Sequence, residues 1–359
     1  MIAYSCRPRF FLCIKPGSGS RLKGKGHNQI SRAEQFECVA EEQPQVDDLR
    51  ADLARRIDSR LQGEEPAATD VPGLLLSRKT VPTECYSAAY EPELVVFAQG
   101  EKRITVGATT HLCSGFNFLL TSIDLPVVGQ ITKASRDEPF LALVLKLEMP
   151  VVREILSQDE FHSNGAPVSA RGLAVGVTPA DLLTACCRLV DLLDTPQDIP
   201  FLGALMQREM IYRVLRGPLG KHLRAIATLG EQSNRTAKAV AWLKQNYAKP
   251  LRVEKLASVA QMGVSTFHHH FRSLTAMSPL QYQKRLRLHM ARVRMMTEGM
   301  DAASAAFEVG YESASQFNRE YRRFFGQPPM RDIQARRRAI TGVPPESAAS
   351  VNRAIHAAT

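Results

Sequence analysis

Residues 264–272 read VSTFHHHFR and residues 314–322 read ASQFNREYR, so one pattern, Phe-x-x-x-aromatic-Arg, occurs twice, displaced by 50 residues. The two copies are Phe267/Phe271 before Arg272 and Phe317/Tyr321 before Arg322. Aromatics four apart share one face of a helix and give it a stripe to bury. Before each copy lies a short Ala-rich stretch, VEKLASVAQ at 253–261 and DAASAAFEV at 301–309, then a tight connection holding Gly263 in one case and Gly310 in the other. A short helix, a brief turn and a second helix predict two helix-turn-helix units, at 253–275 and 301–325. The small side chains of Ala257 and Ala306 let the paired helices approach closely. Ser278-x-x-Gln281, with Pro279 at the first helical position, and Ser313-x-x-Gln316 both read as capping boxes. Between the units one helix is expected over 279–298, whose roughly 30 Å length is close to the roughly 34 Å between successive major-groove faces of DNA.

Away from the aromatic stripes, helix 265–275 presents Ser265, His268, His269 and Arg272, and helix 313–325 presents Ala314, Ser315, Gln316 and Arg319. Arg319 suits a bidentate contact to guanine and Gln316 one to adenine, whereas Arg272, Arg285, Arg287, Arg322 and Arg323 suit phosphates. Charge supports this placement. The net charge is +10, and residues 231–338 hold 19 Lys/Arg against 8 Asp/Glu, which leaves 27 against 28 elsewhere. A basic C-terminal third on a near-neutral remainder fits a polyanion-binding module joined to something else.

The 359 residues are 44% hydrophobic, with mean hydropathy −0.18, which excludes a fibre, a wholly disordered chain and a membrane channel. The seven cysteines form neither a CxxC pair nor metal-finger spacing, and no apolar run approaches the roughly 20 residues that span a bilayer. A cytoplasmic protein without a membrane partner is therefore expected.

Residues 1–45 are basic at the start and lack a period, so a disordered extension is expected there. Val46, Leu49, Leu53, Ile57 and Leu61 then mark an amphipathic helix within a 46–72 helix-and-linker segment. Short β-rich runs with tight turns, LLLSRKT, LVVFAQG, EKRITVG, ATTHLCSG, FNFLLTSIDLPVVGQIT and FLALVLKLE, fill 74–148 and predict a small antiparallel barrel or sandwich. After Met149 the period becomes helical, with a start at Thr178-Pro179-Ala180-Asp181, where Thr178 is placed to cap, and helices at 179–194 and 199–216. Residues 336–359 read as a flexible tail.

The motif words of residues 235–333 resemble the DNA-binding domain of the AraC/XylS family of transcription regulators. They are Leu256-Ala257 with Phe267-His268, Ser278-Pro279 with Tyr282, Leu286-Arg287-Leu288, Val309-Gly310-Tyr311-Glu312-Ser313, Ser315-x-Phe317-x-Arg319, Phe324-Phe325-Gly326 and Pro328-Pro329. The resemblance places base contacts at Ser265, His268 and His269 in the first unit and at Ala314, Ser315, Gln316 and Arg319 in the second. Two departures stand out: Gly263 where Ser is common, and Ala276 where Gly is usual. An alanine in a left-handed cap costs about 1 kcal/mol, so that helix is expected to end differently. Less specifically, residues 70–230 resemble the N-terminal half of one AraC subgroup, through Tyr90-Glu91-Pro92 with Val95-Val96-Phe97-Ala98-Gln99-Gly100, Asp124-Leu125-Pro126-Val127, Phe140-Leu141-Ala142-Leu143 and Asp194-Thr195-Pro196-Gln197-Asp198-Ile199-Pro200. The resemblance implies a cupin-like domain over 73–230 that senses a small molecule or mediates dimerisation.

Inside the barrel, Phe97, Phe116, Phe118 and Phe140 either line an effector pocket or fill the core, with filling favoured. Cys85, Cys113 and His111 complete the pocket candidates, and Cys186-Cys187 reads as core. His268-His269-His270 does not read as a metal site, because successive helical side chains point about 100° apart. His111 is the one histidine in 74–148, and His162 stands apart, so neither metal nor other cofactor is expected and no catalytic residue stands out. The expectation is an α+β protein, a cupin-like antiparallel β-barrel with helices followed by an all-α double helix-turn-helix domain over 235–335. It would bind double-stranded promoter DNA, with RNA polymerase, a second copy and a small-molecule effector as candidate partners. Two alternatives stay open: a cupin-type metalloenzyme with a DNA-tethering tail, and a nonspecific architectural DNA binder.

Overall fold

A computed structural model describes residues 32–61, 67–158, 171–228 and 232–341. Residues 1–31 of the expected disordered extension, His162 and most of the expected tail lie outside the described residues; residues 32–45, expected to be disordered, are instead helical, the first part of α1 (Arg32–Arg60). Helix α1 carries the predicted stripe: Leu53 and Ile57 are fully buried, Leu61 nearly so, and Val46 and Leu49 pack against the same core.

Ten strands follow: β1 (Ala67–Ala68), β2 (Leu74–Lys79), β3 (Tyr86–Tyr90), β4 (Glu93–Gln99), β5 (Glu101–Val106), β6 (Thr109–Ser114), β7 (Asn117–Thr121), β8 (Leu125–Lys133), β9 (Phe140–Lys146) and β10 (Leu173–Val177). They form two antiparallel sheets, β1-β2-β9-β4-β7-β10 and β3-β8-β5-β6. No ladder among the described residues joins the two sheets, so of the barrel and the sandwich that the strand pattern allows, the protein forms the sandwich. Strand alternation explains why the first sheet reads as almost continuously apolar: both of its faces are covered. Leu94, Val96 and Ala98 of β4 face the helices, while Val95 and Phe97 face the second sheet. In β9, likewise, Leu141, Leu143 and Leu145 face the helices and Phe140 and Ala142 the sandwich interior.

The helix-facing side is covered by α1, α2 (Met149–Gln158), α3 (Ala180–Asp191), α4 (Ile199–Arg216) and α5 (Gly220–Ala227). Two features differ from the sequence expectation here. Residues 173–177, in the stretch read as helical, return to the sheet as β10 and pair with β7. Thr178 does not cap α3: the flanking residue is Pro179, and the buried Thr178 hydroxyl has no hydrogen-bond partner.

The C-terminal part is all helical: α6 (Gln232–Gln245), α7 (Val253–Val259), α8 (Val264–Thr275), α9 (Pro279–Thr297), α10 (Ala302–Glu308), α11 (Ala314–Phe325) and α12 (Pro329–Thr341). The first helix-turn-helix unit shares a continuous core with the sandwich. Phe267, Phe271, Tyr282 and Leu286 belong to one buried cluster with Phe97, Ile104, Val127 and Ile131. The second unit has its own core, formed by Leu288, Ala291, Met295, Ala306, Phe317, Tyr321 and Ile333.

Candidate nucleic-acid interface

The two units are built alike, with an instructive difference in their turns. In the first, Gln261 and Met262 donate backbone hydrogen bonds to the Ser258 and Ala257 carbonyls; in the second, Gly310 and Tyr311 donate to Phe307 and Ala306. The left-handed residue is therefore Gln261 (φ 54°) in the first unit and Gly310 (φ 90°) in the second. Gly263, the glycine of the first connection, stands where Ser is common in the family and is the extended N-cap of α8 (φ −65°, ψ 151°). The glycine at 310 is a packing requirement, since a Cβ there would lie 2.0 Å from the Ala248 carbonyl oxygen.

Capping positions the rest. Ser278 and Gln281 form a complete capping box at α9, bonded in both directions. At α11 only half of the expected box forms: the Ser313 hydroxyl accepts from the Gln316 amide, while the Gln316 side chain donates to Glu320 at 3.4 Å. Helix α8 ends on Ala276 in the left-handed conformation (φ 58°, ψ 18°), so alanine takes the glycine-type cap after all. The contacts around it offset the strain of about 1 kcal/mol. Thr275 closes the turn by accepting from the Met277 amide, and Gly107 of the β5–β6 hairpin abuts the Ala276 carbonyl.

Phe267 and Phe271 in α8, and Phe317 and Tyr321 in α11, are fully buried, which turns the opposite faces outward. Ser265, His268, His269 and Arg272 are exposed on α8; Ser315, Gln316 and Arg319 are exposed on α11, with Ala314 partly so. Asn318, not singled out from sequence, is exposed beside Arg319 and Arg322. The spacer α9 has 19 residues, about 28 Å at 1.5 Å each.

The five phosphate candidates divide. Arg272, Arg322 and Arg323 are exposed. Arg285 is half-buried, its guanidinium 5.5 Å from the Phe324 ring centroid, and burial lowers its pKa. Arg287 stands elsewhere. It donates through Nε to the Tyr247 carbonyl (2.7 Å), through Nη1 to Gly310 (2.8 Å) and through Nη2 to Ala248 (3.0 Å) and Lys249 (2.9 Å). Four of its five N–H donors are taken by backbone oxygens, which ties the segment just after α6 to the second turn and removes Arg287 from the phosphate set.

The second unit is held by a buried network. Arg292 makes a two-point contact with Asp332 (2.7 and 2.8 Å), which also accepts from the Tyr321 hydroxyl (2.7 Å), and the guanidinium lies 3.6 Å from the Phe325 ring centroid. These partners hold the Asp332 carboxyl below its usual range against the opposing effect of burial.

The pocket candidates of the sandwich do not converge. Phe97 and Phe140 meet between the sheets with ring centroids 6.1 Å apart, whereas Phe118 lies on the opposite face, among the helices. Phe116 is exposed, with the Arg50 guanidinium 3.9 Å from its ring centroid. Cys85 is exposed, and Cys113 is buried between the sheets, where burial pushes its thiol up to about 12. His111 sits half-buried at the rim, facing α8 across a groove. Among the described residues no group of three or more His, Cys, Asp or Glu is arranged to hold a metal ion. No helix among them is long and apolar enough to cross a membrane.

Comparison with known proteins bears on both halves. Residues 70–222 match the AraC-type transcriptional regulator N-terminus family, and residues 256–335 match a helix-turn-helix domain family. The chain belongs to the AraC/XylS family of transcription regulators. It is 27% identical over 165 residues to the HTH-type transcriptional regulator ExsA of Pseudomonas aeruginosa, covering 46% of this chain and 58% of that protein. It is 28% identical over 156 residues to the HTH-type transcriptional activator RhaS of Salmonella schwarzengrund, covering 43% and 54%. The match thus spans about half the length of these curated relatives. In fold it is similar to ToxT from Vibrio cholerae, with TM-score 0.50 and 9% identity over 72% of this chain and 97% of that one. In this AraC-family chain the two helix-turn-helix units fall almost entirely within the span that matches the helix-turn-helix domain family.

Proposed function

We propose that the chain is a sequence-specific transcription regulator that reads two adjacent major-groove segments of promoter DNA with α8 and α11. The observation that carries the proposal is the pair of exposed polar faces, Ser265/His268/His269 and Ser315/Gln316/Arg319, on two recognition helices joined by one continuous helical spacer. The spacer length is close to the rise of one turn of DNA, so both helices reach one side of the duplex. Arg319 reads guanine, Gln316 and Ala314 flank it, and Arg272, Arg322 and Arg323 hold the backbone. The chain works in the cytoplasm without catalysing a reaction, and the sandwich with its helices senses an effector or joins a second copy. Contact with RNA polymerase completes its action at the promoter.

Selection of bound fragments from a random DNA pool by the purified full-length protein at physiological salt tests this reading. The expected result is two short boxes about one helical turn apart. Fragments retained without a shared motif, and with a strong salt dependence, would overturn it in favour of an architectural binder.

A further inference from the structure

Helix α11 carries a carboxylate, Glu320, one turn after Gln316 and on the side that faces α9. Its side chain is 18% exposed and is held by three partners. Lys284 of α9 pairs with Oε1 at 2.6 Å, the Tyr311 hydroxyl donates to Oε2 at 2.9 Å, and Gln316 donates through Nε2 to Oε1 at 3.4 Å. Tyr311 is itself fixed: it is buried, and its ring meets Phe317 edge to face with centroids 5.3 Å apart. Burial opposes the charge on Glu320, but Lys284, then Tyr311 and Gln316, outweigh it and hold the carboxyl below its usual range. Glu320 is therefore ionised at neutral pH, and an ionised carboxylate only accepts hydrogen bonds.

That fixes which way the Gln316 amide turns. The oxygen and nitrogen ends of a glutamine amide have nearly the same shape, and a free one offers either end to a base. Here an acceptor-only partner takes one Nε2 hydrogen, which leaves the other hydrogen and Oε1 for the DNA. Helix α9 shows the alternative at the equivalent position: Gln281 turns Oε1 back to accept from the Ser278 amide and closes its capping box, whereas Gln316 does not close the box at Ser313. In the major groove, one donor beside one acceptor matches adenine, whose N7 accepts and whose N6 amino group donates. Guanine presents two acceptors, O6 and N7, so Oε1 would be set against one of them. A glutamine free to turn brings both Nε2 hydrogens to guanine instead.

We propose that Glu320 is the positioning residue for base choice on α11: by holding the Gln316 amide with Oε1 outward, it makes that position accept adenine and reject guanine. This role rests on the DNA-reading proposal above and deepens it, in that Gln316 touches the base and Glu320 chooses it. Lys284 and Tyr311 stand one step further back and keep Glu320 charged and in place.

The test puts the full chain, Gln316→Ala, Glu320→Gln and Glu320→Ala through the random-pool selection, and then measures competition binding on the recovered site with each base replaced in turn. Gln316→Ala marks the position concerned, as the one whose preference disappears. The wild type is expected to favour adenine over guanine there by about tenfold or more. Glu320→Gln, whose amide both accepts and donates, and Glu320→Ala, which offers nothing, should each bring that ratio to within about threefold and leave the choice made by Arg319 as it is in the wild type. A merely structural role for Glu320 would weaken all sequences alike and leave the ratio unchanged, and because both DNAs meet the same folded molecules, a lower thermal midpoint in the variants does not enter it. A wild-type ratio in both Glu320 variants, a preference for guanine at the marked position, or no position marked by Gln316→Ala would overturn the proposal while the DNA-reading one stands. A wild-type selection without any motif would overturn both.

Discussion

Replacing Arg287 with alanine separates a structural clamp from a phosphate contact. Four guanidinium hydrogen bonds of 2.7–3.0 Å are lost, to the carbonyls of Tyr247, Gly310, Ala248 and Lys249. Each bond from a charged donor contributes about 1.5–3 kcal/mol on deletion, but the site is half-buried and the freed carbonyls regain water, so the whole loss is about 2–4 kcal/mol. Trp242, the single tryptophan, sits near the end of α6, a few residues before the clamped segment, and reports the event by fluorescence. A urea midpoint lower by about 1 M is expected, given slopes of about 1–3 kcal/mol per M. The salt dependence of DNA binding should stay that of the wild type, because no phosphate contact is removed. A wild-type midpoint with a salt slope reduced by about 0.9 would refute the clamp and restore Arg287 to the DNA backbone.

Arg319→Ala should weaken cognate DNA by about 1–3 kcal/mol and random DNA far less, measured by competition binding; equal losses would mean a phosphate contact. Gly107→Ala forces a Cβ against the Ala276 carbonyl at a left-handed φ of 61°, so a loss of more than about 1 kcal/mol is expected, and an unchanged thermal midpoint would contradict the docking of the hairpin on α8. His289 is pushed down to about 4 by burial, then by Arg292 and Arg336, and its Nδ1 has no hydrogen-bond partner. The unfolded chain therefore takes the proton first: this contribution is complete above about pH 6.5 and is lost as pH falls toward 4, by at most about 3 kcal/mol. His289→Gln should flatten urea stability across that window, and an unaltered slope would show that other groups set it.

What the sequence made legible was local. The two aromatic stripes, the Ser278/Gln281 box, the first helix and the β-rich texture each repeat within a few residues, and each appears where its period put it. What it hid depends on partners distant in sequence. Strand β10 is five residues, LAVGV, whose identity as a strand comes from pairing with β7 more than 50 residues earlier. Strand β3, YSAAY, lacks an aliphatic run and is defined by its register with β8. Gln261 carries the left-handed turn of the first unit, which its residue type does not announce. Arg287 shows the same limit for the site: its residue type and helix face suit a phosphate, and only the arrival of residues 247–249 and 310 fixes its real partners.

The division of the cores gives these particulars a common consequence. Helix α9 passes through both, placing Tyr282 and Leu286 in the cluster shared with the sandwich and Leu288, Ala291 and Met295 in that of the second unit. On the sandwich side, the Tyr282 hydroxyl donates to the Asp124 carbonyl at 2.7 Å, and Lys244 on α6 reaches Asp124 and Glu91 at 2.6 and 3.0 Å. The orientation of the first recognition helix is therefore set jointly by its own unit and by the sheet, whereas the second is aimed through α9, the Arg287 clamp and the Arg292–Asp332–Tyr321 network. A packed helix transmits tilt rather than absorbing it. Asp124 and the hairpin thus bear directly on the first recognition helix, and on the second only by way of α9.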